Sequence, residues 1–315
     1  MNLEMEQSPR ASASRGLGRF GRIDALIAGV VALGLLVGWA PATQAAGSGE
    51  EVNVLYAGSL VNLMERSVAP QFDRVSGDRF RGFAGGSNEL ANEIKGKLRR
   101  ADVFIGSNPK ADARLMGAAN SAWVTWYISF ARSPLVLGYA SSSRFAADFK
   151  RLPWYRVLLE PGIRIGRTDP TLDPKGALTV ELMKRAAAFY HIPHLARRVL
   201  GAPDNPAQVL PEDALLGRIQ SGLIDAGFFY STETADAGLP EVRLPASIAP
   251  HAVYTITIIR DAPHPAAAAR FVAFLLGPQG RALLEKHGLE LQAPALAGSA
   301  RDLPRDLQSI LHRPN

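Results

Sequence analysis

Ser59 and Ser87 each sit in a run of small residues, Ala57-Gly58-Ser59-Leu60 and Gly85-Gly86-Ser87-Asn88, that leads at once into an amphipathic helical pattern. Asp173-Pro174-Lys175-Gly176 and Pro211-Glu212-Asp213 open two further helical patterns in the same manner. The start of a helix leaves backbone N–H groups unpaired and carries partial positive charge, so each opening could cradle an anion. One such opening is weak evidence, because nearly every helix needs a cap. Several in one chain, with no evident nucleophile or metal cluster beside them, point to a protein that binds an anion and leaves it unchanged.

The elements that must position these residues alternate from residue 51 onward. Strands are predicted over 52–56, 79–83, 101–106 and 135–139, with helices over 60–72 and 88–98 between them. A second series follows: a strand over 163–167, helices over 178–190 and 214–221, and a strand over 226–230. The β-branched run 254–259 and a strong helix over 266–276 come next. This alternation predicts an α/β layer fold. The break near 130–140 and the return near 245–260 predict two lobes joined by two crossing strands. One lobe takes residues 47–132 and 246–296, the other 133–245, and the basic, proline-containing tail over 297–315 is expected to be loose. In such sheets ligands sit where strands end and helices begin, which is where the four openings fall.

With 315 residues, 47% hydrophobic and 20% charged, the chain has the length for two domains and an ordinary globular composition. The net charge of +6 is not gathered into a long Lys/Arg run, and aromatics are not interleaved with basic residues, so no nucleic-acid partner is expected. A positive average potential favours an anionic ligand. Arg10, Arg15, Arg19 and Arg22 precede the apolar stretch 25–40, which ends in Pro41 and the small residues Ala42, Thr43, Ala45 and Ala46. The stretch is short for a full membrane span, so 1–46 reads as an export signal cut near 45–47, and the protein as periplasmic. The absence of cysteine removes disulfides, thiolate metal sites, lipid attachment and cysteine nucleophiles, and no cofactor is expected. His191 and His194 are interrupted by Pro193 and lack a third ligand, so no metal site is read there. Ser59 lacks a G-x-S-x-G elbow, which leaves a serine hydrolase as a minor rival. Trp123, Trp126 and Tyr127 read as core.

The fragments Ala57-Gly58-Ser59-Leu60, Phe83-Ala84-Gly85-Gly86-Ser87, Ala101-Asp102-Val103-Phe104, Trp126-Tyr127, Phe130-Ala131-Arg132, Asp169-Pro170 with Asp173-Pro174-Lys175-Gly176, and Gly227-Phe228-Phe229-Tyr230-Ser231 recur in one order. In that order and spacing, over about residues 52–290, the chain resembles the molybdate/tungstate-binding proteins of ABC importers, and the tungstate-type branch in particular. The resemblance implies a type II periplasmic-binding fold that closes over a bare oxyanion. It implies that Ser59 and Ser87 donate to the anion, that the backbone N–H groups of Lys175 and Glu212 do the same, and that Tyr230 donates its hydroxyl. It places Asp173 on a carboxylate that reaches the metal centre in the tungstate branch. The second such carboxylate falls at Phe229, which has none, so a tetrahedral ligand held by hydrogen bonds is expected.

Plainer roles compete with each of these. Ser59 and Ser87 could be helix caps worth about 1 kcal/mol each. Tyr230 ends an apolar strand and could be core, Asp173 could be a turn residue before proline, and Glu212 is an ordinary first-turn acid. The flexible Lys175 side chain is expected to meet solvent. The leading expectation is a monomeric, exported solute-binding protein that delivers molybdate or tungstate to the membrane subunits of an ABC importer and catalyses nothing. Its rivals are a binder of sulfate, phosphate or a small organic anion on the same fold, a serine hydrolase using Ser59, and a sensor or docking subunit on the same scaffold.

Overall fold

The computed structural model describes residues 49–312, so the expected export signal over 1–46 lies outside the described residues. Nine strands are named in chain order. β1 is Glu51–Ala57, β2 Arg79–Gly85, β3 Val103–Gly106 and β4 Trp126–Tyr139. β5 is Ile165–Gly166, β6 Ala226–Tyr230, β7 Glu241–Val242, β8 His251–Ile258 and β9 Glu290–Gly298. They form one mixed sheet in the order β2-β1-β3-β8-β4-β6-β5, with β7 and β9 also paired to β4.

β1 pairs in parallel with β2 and β3, and β5 in parallel with β6. Parallel strands covered by helices on both faces read as unbroken apolar runs, and β3 and β6 are buried along their whole length for that reason. β4 is long enough to serve both halves of the sheet. Its first part pairs with β8 and β9, its last part with β6 and β7, and its register slips between Ser129 and Ala131. Side chains alternate across β6, so Phe228 and Tyr230 enter the main core while Phe229 packs on the other face with Val136, Leu215 and Ile219.

The helix after β1 is continuous over 58–76 but changes pitch, with a π turn at Met64–Val68. Pro70 explains the turn. It has no N–H to give to the carbonyl four residues back and its ring crowds that carbonyl, so the ladder widens there. Gly77 then ends the helix with φ 77°, a conformation that suits glycine.

Three expectations need correction. The strand expected over 163–167 shrinks to β5, with Arg167 only bridged to Val209. β9, unread in the sequence, is an edge strand carrying Pro294, a residue that edges tolerate and that masks the strand pattern. The tail expected to be loose is folded as far as residue 312, because Leu303, Leu307 and Ile310 sit four and three apart and bury one apolar face in the main core. Among the described residues no helix is long and apolar enough to cross a membrane.

Candidate functional site

The predicted openings converge. β1 runs into Gly58-Ser59, β2 into Gly86-Ser87 and β3 into Ser107, all at the carboxyl ends of adjacent parallel strands. Tyr230 ends β6 on the other half of the sheet. Two glycines let the halves meet. A Cβ on Gly58 would lie 1.5 Å from Glu212 Oε2, and one on Gly86 would lie 2.8 Å from the Leu172 carbonyl oxygen. Asn88 Nδ2 donates to the Thr171 carbonyl at 3.1 Å and the Glu89 N–H to the Leu172 carbonyl at 3.0 Å, tying the 85–89 turn to the loop before Asp173.

Neither serine is a helix cap. Gly86 is the N-cap ahead of Ser87–Lys95 and Ala57 the one ahead of Gly58–Leu60, with no side-chain cap bond at either end. Ser59 Oγ instead lies 3.1 Å from the Tyr254 hydroxyl. Ser87 Oγ accepts the Ser107 N–H at 3.0 Å and pairs with Ser107 Oγ at 3.2 Å. Tyr254 in turn meets Tyr230 edge to face, ring centres 6.2 Å apart. The Tyr230 hydroxyl is buried and has no protein partner. Burial first, and the Asp173 charge second, push its pKa well up, so it stays a neutral donor.

Lys175 differs most from its expected setting. Its side chain is wholly buried, not solvated, and Nζ donates to Glu212 Oε1 at 2.8 Å and to Glu233 Oε1 and Oε2 at 2.8 and 3.0 Å. Its backbone N–H, expected on the anion, donates to Asp173 Oδ1 at 2.6 Å, making Asp173 the N-cap of Pro174–Phe189. The Glu212 side chain, expected to be a bystander to its own backbone, is part of this buried ion cluster. The partners lie 37 and 58 residues from Lys175, which local sequence patterns cannot reveal.

One ammonium thus faces three carboxyl groups. Burial alone would lower the Lys175 pKa, but Glu212, Glu233 and Asp173 outweigh it and keep the ammonium charged. Burial raises Asp173 to about 6 against the pull of Lys175. Burial, with repulsion from Asp173 and Glu233, raises Glu212 to about 8. Glu212 Oε2 and Asp173 Oδ2 are buried without partners. Since the folded value of Glu212 lies above its ordinary 4.5, the folded protein holds a proton that the unfolded chain releases. This contribution to stability is whole below about pH 4.5 and is lost as pH rises through about 8.

The six residues singled out by sequence, Ser59, Ser87, Asp173, Lys175, Glu212 and Tyr230, therefore fall in one buried neighbourhood. Ser107, Glu233 and Tyr254 belong there too and were missed. Ser107 had a signal, as the residue just past strand 101–106. Glu233 stands three residues after Tyr230, the spacing of a capping box, and accepts the Tyr230 N–H at 2.7 Å. Tyr254 had none, being one aromatic in a β-branched run.

Hydroxyl donors at helix openings suit an oxyanion, and little here suits catalysis. Ser59 pairs with a phenol rather than a base. Ser67 Oγ, His287 Nε2 and Nδ1, and Asp236 do form a hydrogen-bonded chain of 2.8 and 2.8 Å in the order of a hydrolytic triad. Ser67, however, sits inside the helical stretch, where neighbouring N–H groups serve helical bonds and cannot hold a developing oxyanion. His191 and His194 are exposed, both with left-handed backbone. Among the described residues no group of three His, Asp or Glu is placed to hold a metal ion.

The chain is similar to a putative ABC transporter molybdenum-binding protein of Haloferax volcanii, at 33% identity over 64% of this chain and 63% of that one. It is similar to a molybdate/tungstate-binding protein of Thermococcus kodakarensis, at 24% identity over 74% of this chain and 78% of the relative. Among solved structures it matches the periplasmic molybdate-binding protein of Azotobacter vinelandii with a TM-score of 0.60 and 19% identity, covering 76% of this chain and 99% of that one. That likeness establishes the periplasmic-binding-protein fold. The model of the family described as bacterial extracellular solute-binding protein matches residues 52–290, and the chain belongs to that family.

Proposed function

We propose that this protein captures a tetrahedral oxyanion of the molybdate or tungstate kind, in the periplasm and as a monomer, and hands it to the membrane subunits of an ABC importer. The observation that carries this reading is the convergence of the Ser59, Ser87 and Tyr230 hydroxyls, all buried, on the ends of strands from both halves of the sheet. Two relatives named for molybdenum or molybdate/tungstate binding support the choice of ion. In this reading the two halves of the sheet act as lobes, 47–132 with 246–296 and 133–245, that close over the ligand. No bond of the ligand is made or broken.

Molybdate and tungstate should raise the melting temperature of the purified protein and bind in calorimetric titration. A ligand at a thousandfold excess over Kd stabilises by about 4 kcal/mol. A shift with sulfate or phosphate and none with either metal oxyanion transfers the assignment to the other anions.

One observation favours that second reading. Asp173 Oδ2 and Glu212 Oε2 are acceptors when ionised, and acceptors suit a ligand that carries its own proton, such as hydrogen phosphate or a hydroxylated organic anion. Asp173→Asn separates the cases. With a deprotonated tetrahedral ion the variant should hold or improve affinity, because a repulsive carboxylate is gone. A ligand that donates to Asp173, or a metal centre that Asp173 ligates, should instead lose affinity by about tenfold or more, the scale of a charged hydrogen bond. The same calorimetric panel reads both outcomes.

A further inference from the structure

Half of the Glu212 carboxyl is accounted for by neither a helix cap nor an ion pair. Lys175 holds only its Oε1, at 2.8 Å. The remaining contacts of the ammonium go to Glu233, so Lys175 has no donor left for Oε2. Oε2 is buried, has no partner, and abuts Gly58, the residue before Ser59. A larger residue at 58 would displace it. The groups that face this carboxyl are Lys175 on Pro174–Phe189 and its cap Asp173, Glu233 on Ser231–Ala237 and Tyr254 on β8, with Tyr230 one contact further, against Lys175 and Tyr254. The two tyrosines are neutral, so the fixed charge is one ammonium against three carboxyl groups.

A fully deprotonated dianion brought into this neighbourhood would meet net negative charge if every carboxyl stayed ionised. Buried like charges are strongly unfavourable, and the relief is a proton on a carboxyl whose second oxygen lacks a partner; Asp173 and Glu212 each have one, and it is Glu212 Oε2 that abuts Gly58 at the Ser59 opening. Once protonated, Glu212 Oε2 turns from an acceptor aimed at the Ser59 opening into a donor. We infer that the protonated carboxyl of Glu212 donates to the bound oxyanion, so that capture of a dianion takes up one proton. This rests on the oxyanion reading above and adds its regulation by pH. The balance is simple: a proton from solvent joins Glu212 Oε2, no other bond changes, and release of the anion returns it. The raised pKa of the free carboxyl agrees, and places the transition near the alkaline edge of neutrality.

The test is calorimetric titration of the full protein with molybdate between about pH 6 and pH 9, each point in two buffers of different ionisation enthalpy, which counts protons taken up per anion. Wild type should take up close to one proton at the upper end, and Kd should rise about tenfold per pH unit above pH 8. Glu212→Gln keeps a donor on the same atom and cannot titrate. It should bind with little uptake and a nearly flat profile, whereas Asp173→Asn should keep the alkaline slope. The proton count on wild type stands even if a variant folds poorly. Molybdate binding with no proton uptake at high pH, or an unchanged slope in Glu212→Gln, overturns this inference alone. If molybdate, tungstate and sulfate all fail to bind, the oxyanion reading falls and this inference with it.

Discussion

Lys175→Met should lower the free energy of unfolding by about 3–5 kcal/mol, since removing one partner of a buried ion pair leaves the other charge unpaired. The side chain is wholly buried, and its ammonium is the only cation bonded to Glu212 and Glu233 among the described residues. Methionine keeps the volume, so the loss reports charge rather than a cavity. Denaturant unfolding of the purified variant measures it. Adding Glu212→Gln and Glu233→Gln to Lys175→Met should recover much of the loss, because the uncompensated carboxylates go with the lysine. A lysine that served only the bound anion would give a different result, with normal stability in the absence of ligand and a large fall in affinity. A variant as stable as wild type would show that the three acids neutralise themselves by protonation and need no cation.

The contrast between Lys175 and its neighbours explains how much of this site was legible in the sequence. The positions of Ser59 and Tyr230 were readable because each stands at the end of a short, local apolar run, and that of Ser87 because Gly85-Gly86 marks the turn from strand to helix. The α/β alternation that fixes those ends survives in a single chain without any knowledge of partners. Lys175 was misread for the opposite reason. A lysine after a proline at a helix start is nearly always solvated, and what buries this one is two acids on other helices, reached only through the tertiary fold. Tyr254 shares that fate, whereas Glu233 carried the local signal of a capping-box spacing after Tyr230. The folded tail was hidden by composition, since Pro304, Arg301 and Arg305 drew attention from the spacing of Leu303, Leu307 and Ile310. Asp173 shows that the two kinds of reading need not compete. Its plainer expectation was a turn residue before proline; it is the cap of Pro174–Phe189, and its other oxygen is buried without a partner.

Ser87→Ala should carry two separable losses, and their separation tests the anion site most directly. The Ser87 Oγ accepts the N–H of Ser107, which is buried, so alanine leaves that donor without a protein acceptor and should cost about 1–3 kcal/mol of stability. If the hydroxyl also donates to the oxyanion, affinity should fall by a further 1.5–3 kcal/mol or so, roughly ten- to more than hundredfold in Kd. Ser59→Ala is the matched control. Its Oγ pairs only with the Tyr254 hydroxyl, which can turn toward the ligand when the serine is gone, so its loss of stability should be smaller. Unfolding experiments without ligand and titrations with molybdate, run on both variants, give four values. An unstable Ser87→Ala that binds normally reduces that serine to an acceptor for Ser107 and moves the anion away from the β2 end of the sheet. Stability loss confined to Ser87→Ala, with affinity lost in both variants, places the oxyanion between the two openings, because no other arrangement draws on both hydroxyls while depending on one of them to hold the strand ends together.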